Sequence, residues 1–166
     1  MRVRALTEEQ IRASFINCSK SEAQRLRTPD LTEIAWDELD FLGWRDPRAP
    51  ERAYLVAETA NGLTGIELRT STKVAGSRFA RGMCSLCRTV RTRGGTALLV
   101  ARRAGASGRA GNTVGEYICT DLACSLYVRG RKESAGSLVN EETLSVEAKI
   151  DRLRIALEAY LQRVRG

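Results

Sequence analysis

The chain has 166 residues, with 27 Lys and Arg against 20 Asp and Glu, five cysteines, nine aromatic residues and no histidine. That length suits one domain of ordinary size, or a compact domain with helical extensions. The absence of histidine excludes His-based acid–base catalysis, Ser-His-Asp and Cys-His nucleophilic sites, and any metal site with a histidine ligand.

Apolar runs reach about five residues, as in Ala97 to Ala101, far short of the ~20 needed to span a bilayer. The N-terminus shows no apolar stretch followed by a small-residue cleavage site, so a cytoplasmic protein is expected. No internal repeat is evident. Thr7-Glu-Glu-Gln10 reads as a capping box, in which hydroxyl and amide satisfy each other's backbone donors. It opens a helix with Ile11, Phe15 and Cys18 on one face, extended by Leu26 and ended by Pro29. Cys18 falls on that apolar stripe and reads as a small buried hydrophobe. Trp36 to Pro47 reads as a turn of helix and a packed loop whose two Trp side chains supply core area. Tyr54–Glu58 and Leu63–Leu68 are strand-like runs joined through Asn61-Gly62, a dipeptide suited to a tight hairpin turn.

Residues 70–81 read as a polar, basic linker. Thr96–Arg102 and Val114–Cys119 read as strands, and residues 105–115 between them as a flexible glycine-rich loop. A helix is expected from Asp121 to Arg131. The clearest helix is the last: Val146, Ile150, Leu153, Leu157, Tyr160 and Val164 recur at alternating four- and three-residue spacing behind a Ser145 N-cap. With fewer than three heptads, that stripe reads as core packing rather than a coiled-coil seam. The expected architecture is α+β, a small antiparallel sheet with flanking helices. Three regions are expected to form one compact unit: 1–72 with the first helix and hairpin, 73–132 with four of the five cysteines, and 133–166 with the last helix.

Charge is segregated along the chain. Residues 73–132 hold twelve Lys or Arg against two acids, a local +10, while the rest carries a net −3. Such a field attracts an anionic partner, although a solvated basic face would have the same composition.

Cys84-Ser-Leu-Cys87 and Cys119-Thr-Asp-Leu-Ala-Cys124 carry the strongest chemical signal. Two close cysteine pairs match a structural zinc site in which two knuckles supply two thiolates each. The order of knuckle, hairpin, then strand leading into a ligand-bearing helix is that of a treble clef. Disulfides need an oxidising compartment, and a redox Cys-x-x-Cys needs no second pair. An iron–sulfur cluster also uses four cysteines, but the paired spacing favours zinc. Four thiolates leave no open coordination position, so one structural Zn2+ is expected.

Arg81-Gly-Met-Cys-Ser-Leu-Cys87 and Gly115-Glu-Tyr-Ile-Cys-Thr-Asp-Leu-Ala-Cys124, with Phe41-Leu-Gly-Trp44 and the hairpin after it, resemble the zinc-binding domain of the elongation factor G-binding family, which includes the fusidic-acid-resistance proteins. The resemblance spans most of residues 10–130. It implies a protein that docks elongation factor G through its treble clef and promotes release of the factor from the ribosome, with Tyr117 on the contact surface. Tyr117 lies two residues from Cys119 on a strand and so shares the metal ligand's face. A tyrosine there, ringed by arginines, has the composition of an interface anchor, though it could also pack inside the domain. The candidate partner-binding set is Met83, Tyr117, Arg81, Arg88, Arg102, Arg103, Arg109 and Arg129. Leu126 and Tyr127 are expected in the core. The glycine segment lacks the Gly-x4-Gly-Lys-Ser/Thr order of a phosphate-binding loop. No nucleophile–base pair can be assembled, so the chain is expected to bind rather than catalyse, without a small-molecule substrate. The alternative is a basic zinc finger that binds the ribosome or rRNA directly.

Overall fold

A computed structural model describes residues 2–71, 82–91, 94–133 and 142–166. The first capping box forms as the sequence suggests: the Thr7 hydroxyl accepts from the Gln10 N–H, and the Gln10 side chain accepts from the Thr7 N–H. Helix α1 (Glu8–Ala13) is nevertheless a short one. The Ser14 hydroxyl donates to the Ile11 carbonyl at 2.6 Å, a local bond that competes with helix continuation. Phe15 leaves the helix to bridge Gly65. A second capping box, Ser19 with Glu22, then starts α2 (Lys20–Arg25). The single expected helix is therefore two, because an equally good start signal lies inside it.

A 3-10 turn at Trp36–Glu38 precedes β1 (Leu42–Arg45), so half of the expected loop is a strand. Trp44 is buried and its indole donates to the Arg27 carbonyl, whereas Trp36 is only half-buried. Strands β2 (Arg52–Thr59) and β3 (Gly62–Thr70) form the hairpin. Thr59 faces Gly62, so the loop is Ala60-Asn61, one residue earlier than the dipeptide suggests. Gly62 has φ +91°, which glycine adopts without steric cost.

Downstream come β4 (Gly82–Met83), β5 (Val90–Arg91), β6 (Thr96–Arg102), α3 (Gly105–Arg109), β7 (Thr113–Cys119), α4 (Cys124–Val128) and α5 (Val146–Arg165). The expected linker lies mostly in 72–81, outside the described residues. The glycine segment 105–115 is ordered structure: helix α3, a turn and the start of β7. Its small residues allow close approach, and the Ala104 N–H donates to the Val164 carbonyl of α5.

The main sheet is antiparallel in the order β1-β2-β3-β6-β7, and β4-β5 form a separate ribbon. The finger's hairpin thus continues the N-terminal hairpin's sheet, through Arg69 opposite Val100 and Thr70 opposite Leu99. On one face, Leu153, Leu157, Tyr160 and Val164 of α5 pack in one core with Leu55, Leu99, Ile118 and the four cysteines. On the other, Val3, Ile11, Leu26, Trp44, Tyr54 and Val56 form a second core. Strand β2 is covered on both faces, which explains its continuous apolar run. Cys18 is half-buried beside the second core, and burial first, with Glu67 and Glu22 adding to it, pushes its thiol up to about 11.

One buried ionic cluster ties three parts of the chain together. Asp40 is fully inaccessible and accepts from Arg129 at 2.5 and 3.2 Å and from Arg154 of α5 at 2.9 Å. Its own N–H donates to the Ser125 hydroxyl of α4 at 2.9 Å. Removing the carboxylate strands two guanidinium charges, one of them 8% exposed. Asp40→Ala should therefore lower unfolding stability by about 3–5 kcal/mol, read as a lowered urea midpoint with an unchanged slope.

Candidate metal centre

The first knuckle sits at the tip of the β4-β5 ribbon. The Cys84 N–H donates to the Thr89 carbonyl, and the Arg88 N–H closes the turn on the Cys84 carbonyl. Arg88 has φ +62°, a left-handed conformation that favours glycine and that few arginines adopt. The Cys87 N–H points at the Cys84 sulfur at 3.5 Å, the kind of backbone donor that stabilises a thiolate. The second pair straddles the end of β7: Cys119 closes the strand and Cys124 opens α4. Between them the chain turns sharply, with Leu122 at φ +56° and the Asp121 carboxylate accepting from the Ala123 N–H at 3.1 Å. Helix α4 is five residues long, shorter than the expected 121–131, because this turn and Gly130 (φ +64°) bound it.

All four cysteines are buried, and their sulfurs lie within 4.8 Å of one another. The Cys84–Cys124 and Cys87–Cys119 separations are 3.6 and 3.5 Å. A tetrahedron with Zn–S bonds of about 2.3 Å has edges near 3.8 Å, so the set matches one zinc ion. Surrounding charge fits as well, since four thiolates around Zn2+ carry a net −2. The Arg91 side chain, 10% exposed, lies against the Cys119 sulfur and bonds Asp121 at 3.2 Å. Burial alone would lower the pKa of its guanidinium; the Cys119 sulfur and the Asp121 carboxylate reverse that and hold it firmly charged. Arg152 of α5 reaches within 3.5 Å of the Cys87 carbonyl. Arg91 and Arg152 both have a buried Nε without a hydrogen-bond partner among the described residues. The Arg91 guanidinium drawn in so tightly matches an anionic metal–thiolate centre, while Arg152 is paired with Glu142 at 2.8 and 3.1 Å. One Zn2+ with four cysteine ligands therefore fits, and with no position left for water its chemistry is structural.

The outer layer was not legible from cysteine spacing. Arg91 also stacks over Tyr127, with its carbon 4.6 Å from the ring centre, and the Tyr127 hydroxyl donates to Asp121 at 2.6 Å. Arg152 is far along the chain, and no local pattern points to it. The Asx-type turn at Asp121 had a readable signal, a short polar residue just ahead of a helix start. Gly43 has a packing role too: a Cβ there would lie 2.6 Å from the Leu122 Cβ. Bare backbone at that point of β1 lets the sheet approach the second knuckle.

The candidate partner residues separate into groups. Met83 and Tyr117 are 48% and 46% exposed and flank the knuckle, with Arg88 exposed at its turn. The Tyr117 carbonyl accepts from the Ser85 N–H at 2.7 Å, so its backbone is fixed by the knuckle itself. Arg102, Arg103 and Arg109 gather at the opposite end of the β6-β7 hairpin. Thr96 faces Cys119 while Arg102 faces Thr113, a separation of about 20 Å at strand rise. The basic segment therefore does not ring the metal as one patch. Arg129, expected at the surface, is instead buried against Asp40, because the carboxylate needs a partner inside. Arg81 lies outside the described residues. Leu126 and Tyr127 are both half-buried, and Tyr127 packs against the main core.

Elemental analysis should return one zinc per chain, and Cys84→Ser or Cys119→Ser should abolish both the metal and the cooperative melt. Binding in such sites is worth roughly 10–16 kcal/mol, comparable to a whole domain's stability. Acid should release the metal. Zinc takes cysteine as the thiolate and not as the thiol. Protons must therefore leave on zinc uptake, and apparent zinc affinity should fall as pH falls. Calorimetry in buffers of different protonation enthalpy reads both effects.

No helix among the described residues is long and apolar enough to cross a membrane. No curated protein and no solved structure matches the chain. One family model does, the FBP C-terminal treble-clef zinc-finger, over residues 10–164. That span takes in the Gly43 approach, both knuckles and the α5 stripe, and the chain belongs to the FBP C-terminal treble-clef zinc-finger family.

Proposed function

We infer that the chain is a translation-factor-binding module that docks elongation factor G through the surface beside its first zinc knuckle and promotes the factor's release from the ribosome. The observation that carries this reading is the pair Met83 and Tyr117. Both are large, about half-exposed and mounted on backbone pinned by the knuckle. An aromatic and a methionine on a rigid support have the composition of interface anchors, since the backbone beneath them is already ordered before a partner arrives. Family membership supports the choice of partner. The action is binding rather than catalysis, because a closed thiolate set offers no metal-bound water and serves to hold the contact surface in shape.

Tyr117→Ala and Met83→Ala should each weaken binding to purified, nuclease-treated elongation factor G by roughly tenfold or more, as truncating a central anchor does. Zinc content and melting temperature should stay at the parent values. Full binding by the folded double variant would end this reading. Release of the factor from ribosomes, assayed with and without fusidic acid, tests the resistance role.

A further inference from the structure

At the end of the sheet remote from the metal, two adjoining clefts of about 260 and 380 Å³ share Asn17, Glu22 and Arg102 in their walls. The first also contains Arg103 and Arg109, and the second Arg69. Four guanidiniums thus line this groove of two adjoining clefts, with two carboxylates among them. Both carboxylates are engaged in the fold. Glu22 accepts from the Ser19 N–H in the capping box at 2.7 Å and stands 3.9 Å from Arg102, while Glu67 lies 3.4 Å from Arg69. Arg103 and Arg109 have no acidic partner among the described residues.

The frame beneath these arginines is built rather than incidental. Asn17 spends its amide group on the Glu67 and Arg102 carbonyls and its oxygen on the Glu67 N–H, all at 2.8–3.0 Å. Its side chain thereby fixes β3, β6 and the α1–α2 junction around the groove floor. Gly108 is buried so tightly on the Arg103 backbone that a Cβ would lie 1.6 Å from the Arg103 carbonyl oxygen. That contact holds Arg109 on the same side as Arg102 and Arg103.

We propose that this groove binds the phosphodiester backbone of single-stranded RNA, at a site separate from the knuckle surface. Guanidiniums along a track match phosphate oxygens at regular spacing. An acidic peptide suits the groove less well. The β3–β6 ladder ends with Arg69 opposite Val100. Beyond it Asn17 takes up the Glu67 N–H and the Glu67 and Arg102 carbonyls, and Ser14 and Ile16 take up Gly65, so those backbone groups are not free to receive an extended chain. Ile16 and Val100 are the aliphatic side chains in the walls, so anchoring side chains of a peptide find little to fill. The groove reading does not rest on elongation factor G docking.

The test uses the full chain and a fluorescein-labelled oligouridylate of about 20 nucleotides, chosen because the site tracks backbone rather than bases. The variant Arg102→Gln/Arg103→Gln/Arg109→Gln should weaken binding roughly tenfold or more and reduce the salt slope of log K by about 2, near 0.7 per lost phosphate contact. A control that removes the same charge elsewhere, Arg2→Gln/Arg27→Gln/Arg48→Gln, should change affinity less than about threefold. Both triple variants should keep their zinc and still bind elongation factor G if the parent does. Three results overturn the proposal: no binding by the parent chain, equal damage from the control triple, or displacement of the RNA by polyglutamate at equal charge concentration. Loss of factor binding in the Tyr117→Ala variant with RNA binding intact separates the two surfaces.

Discussion

Everything on the finger side of the molecule depends on four sulfurs being held to one point. Strands β4 and β5 are two residues each and α4 is five, lengths that do not persist alone in water. The sulfurs bring the ribbon tip, the end of β7 and the start of α4 together, and the rest of the packing is arranged around that junction. Arg152 reaches it from α5, Arg91 from β5, and Leu122 presses from it into the space beside Gly43. The N-terminal sheet, the finger and the last helix meet where charge is most concentrated. Asp40, with Arg129 and Arg154, repeats the theme one layer further in, pairing buried ions across segments far apart in sequence.

How much of this was legible depended on whether a signal was local. The cysteine pairs carry their geometry in their spacing. The α5 stripe was readable from Leu153 to Val164, although Val146 at its start is exposed and the buried Leu161 falls outside the expected set. The β2-β3 hairpin was readable too, but its loop was displaced by a residue because glycine serves the position after the turn as well as within it. The first helix misled for a physical reason: Ile11, Phe15 and Cys18 keep helical spacing, yet Ser19-x-x-Glu22 offers a competing start and Phe15 has a partner across the sheet in Gly65. The glycine-rich segment read as flexible because glycine and alanine lack side chains to anchor. Here that lack is the point, since Gly108 and the neighbouring Ala104 bring their backbones close to Arg103 and Val164.

The charge pattern shows the limit of composition. A run of arginines in sequence became separate populations in space: Arg91 compensating thiolates, Arg129 neutralising a buried carboxylate, Arg88 on the knuckle and Arg102, Arg103 and Arg109 lining a remote groove. A strand of seven residues suffices to send neighbours in sequence to opposite ends of a domain. Net charge counted along the chain therefore measured an electrostatic total without revealing which charges were spent internally.

Strand β7 is the last strand of its sheet, and the Ser85 N–H donates to the Tyr117 carbonyl on its outer side. The knuckle thus acts as a cover for an otherwise open strand edge, at the half-exposed Tyr117. An uncovered edge of that kind is a template for pairing with another chain. Keeping the metal in place therefore guards solubility as well as shape: a chain that loses it presents a sticky ribbon to its neighbours, and self-association becomes a competing fate alongside unfolding.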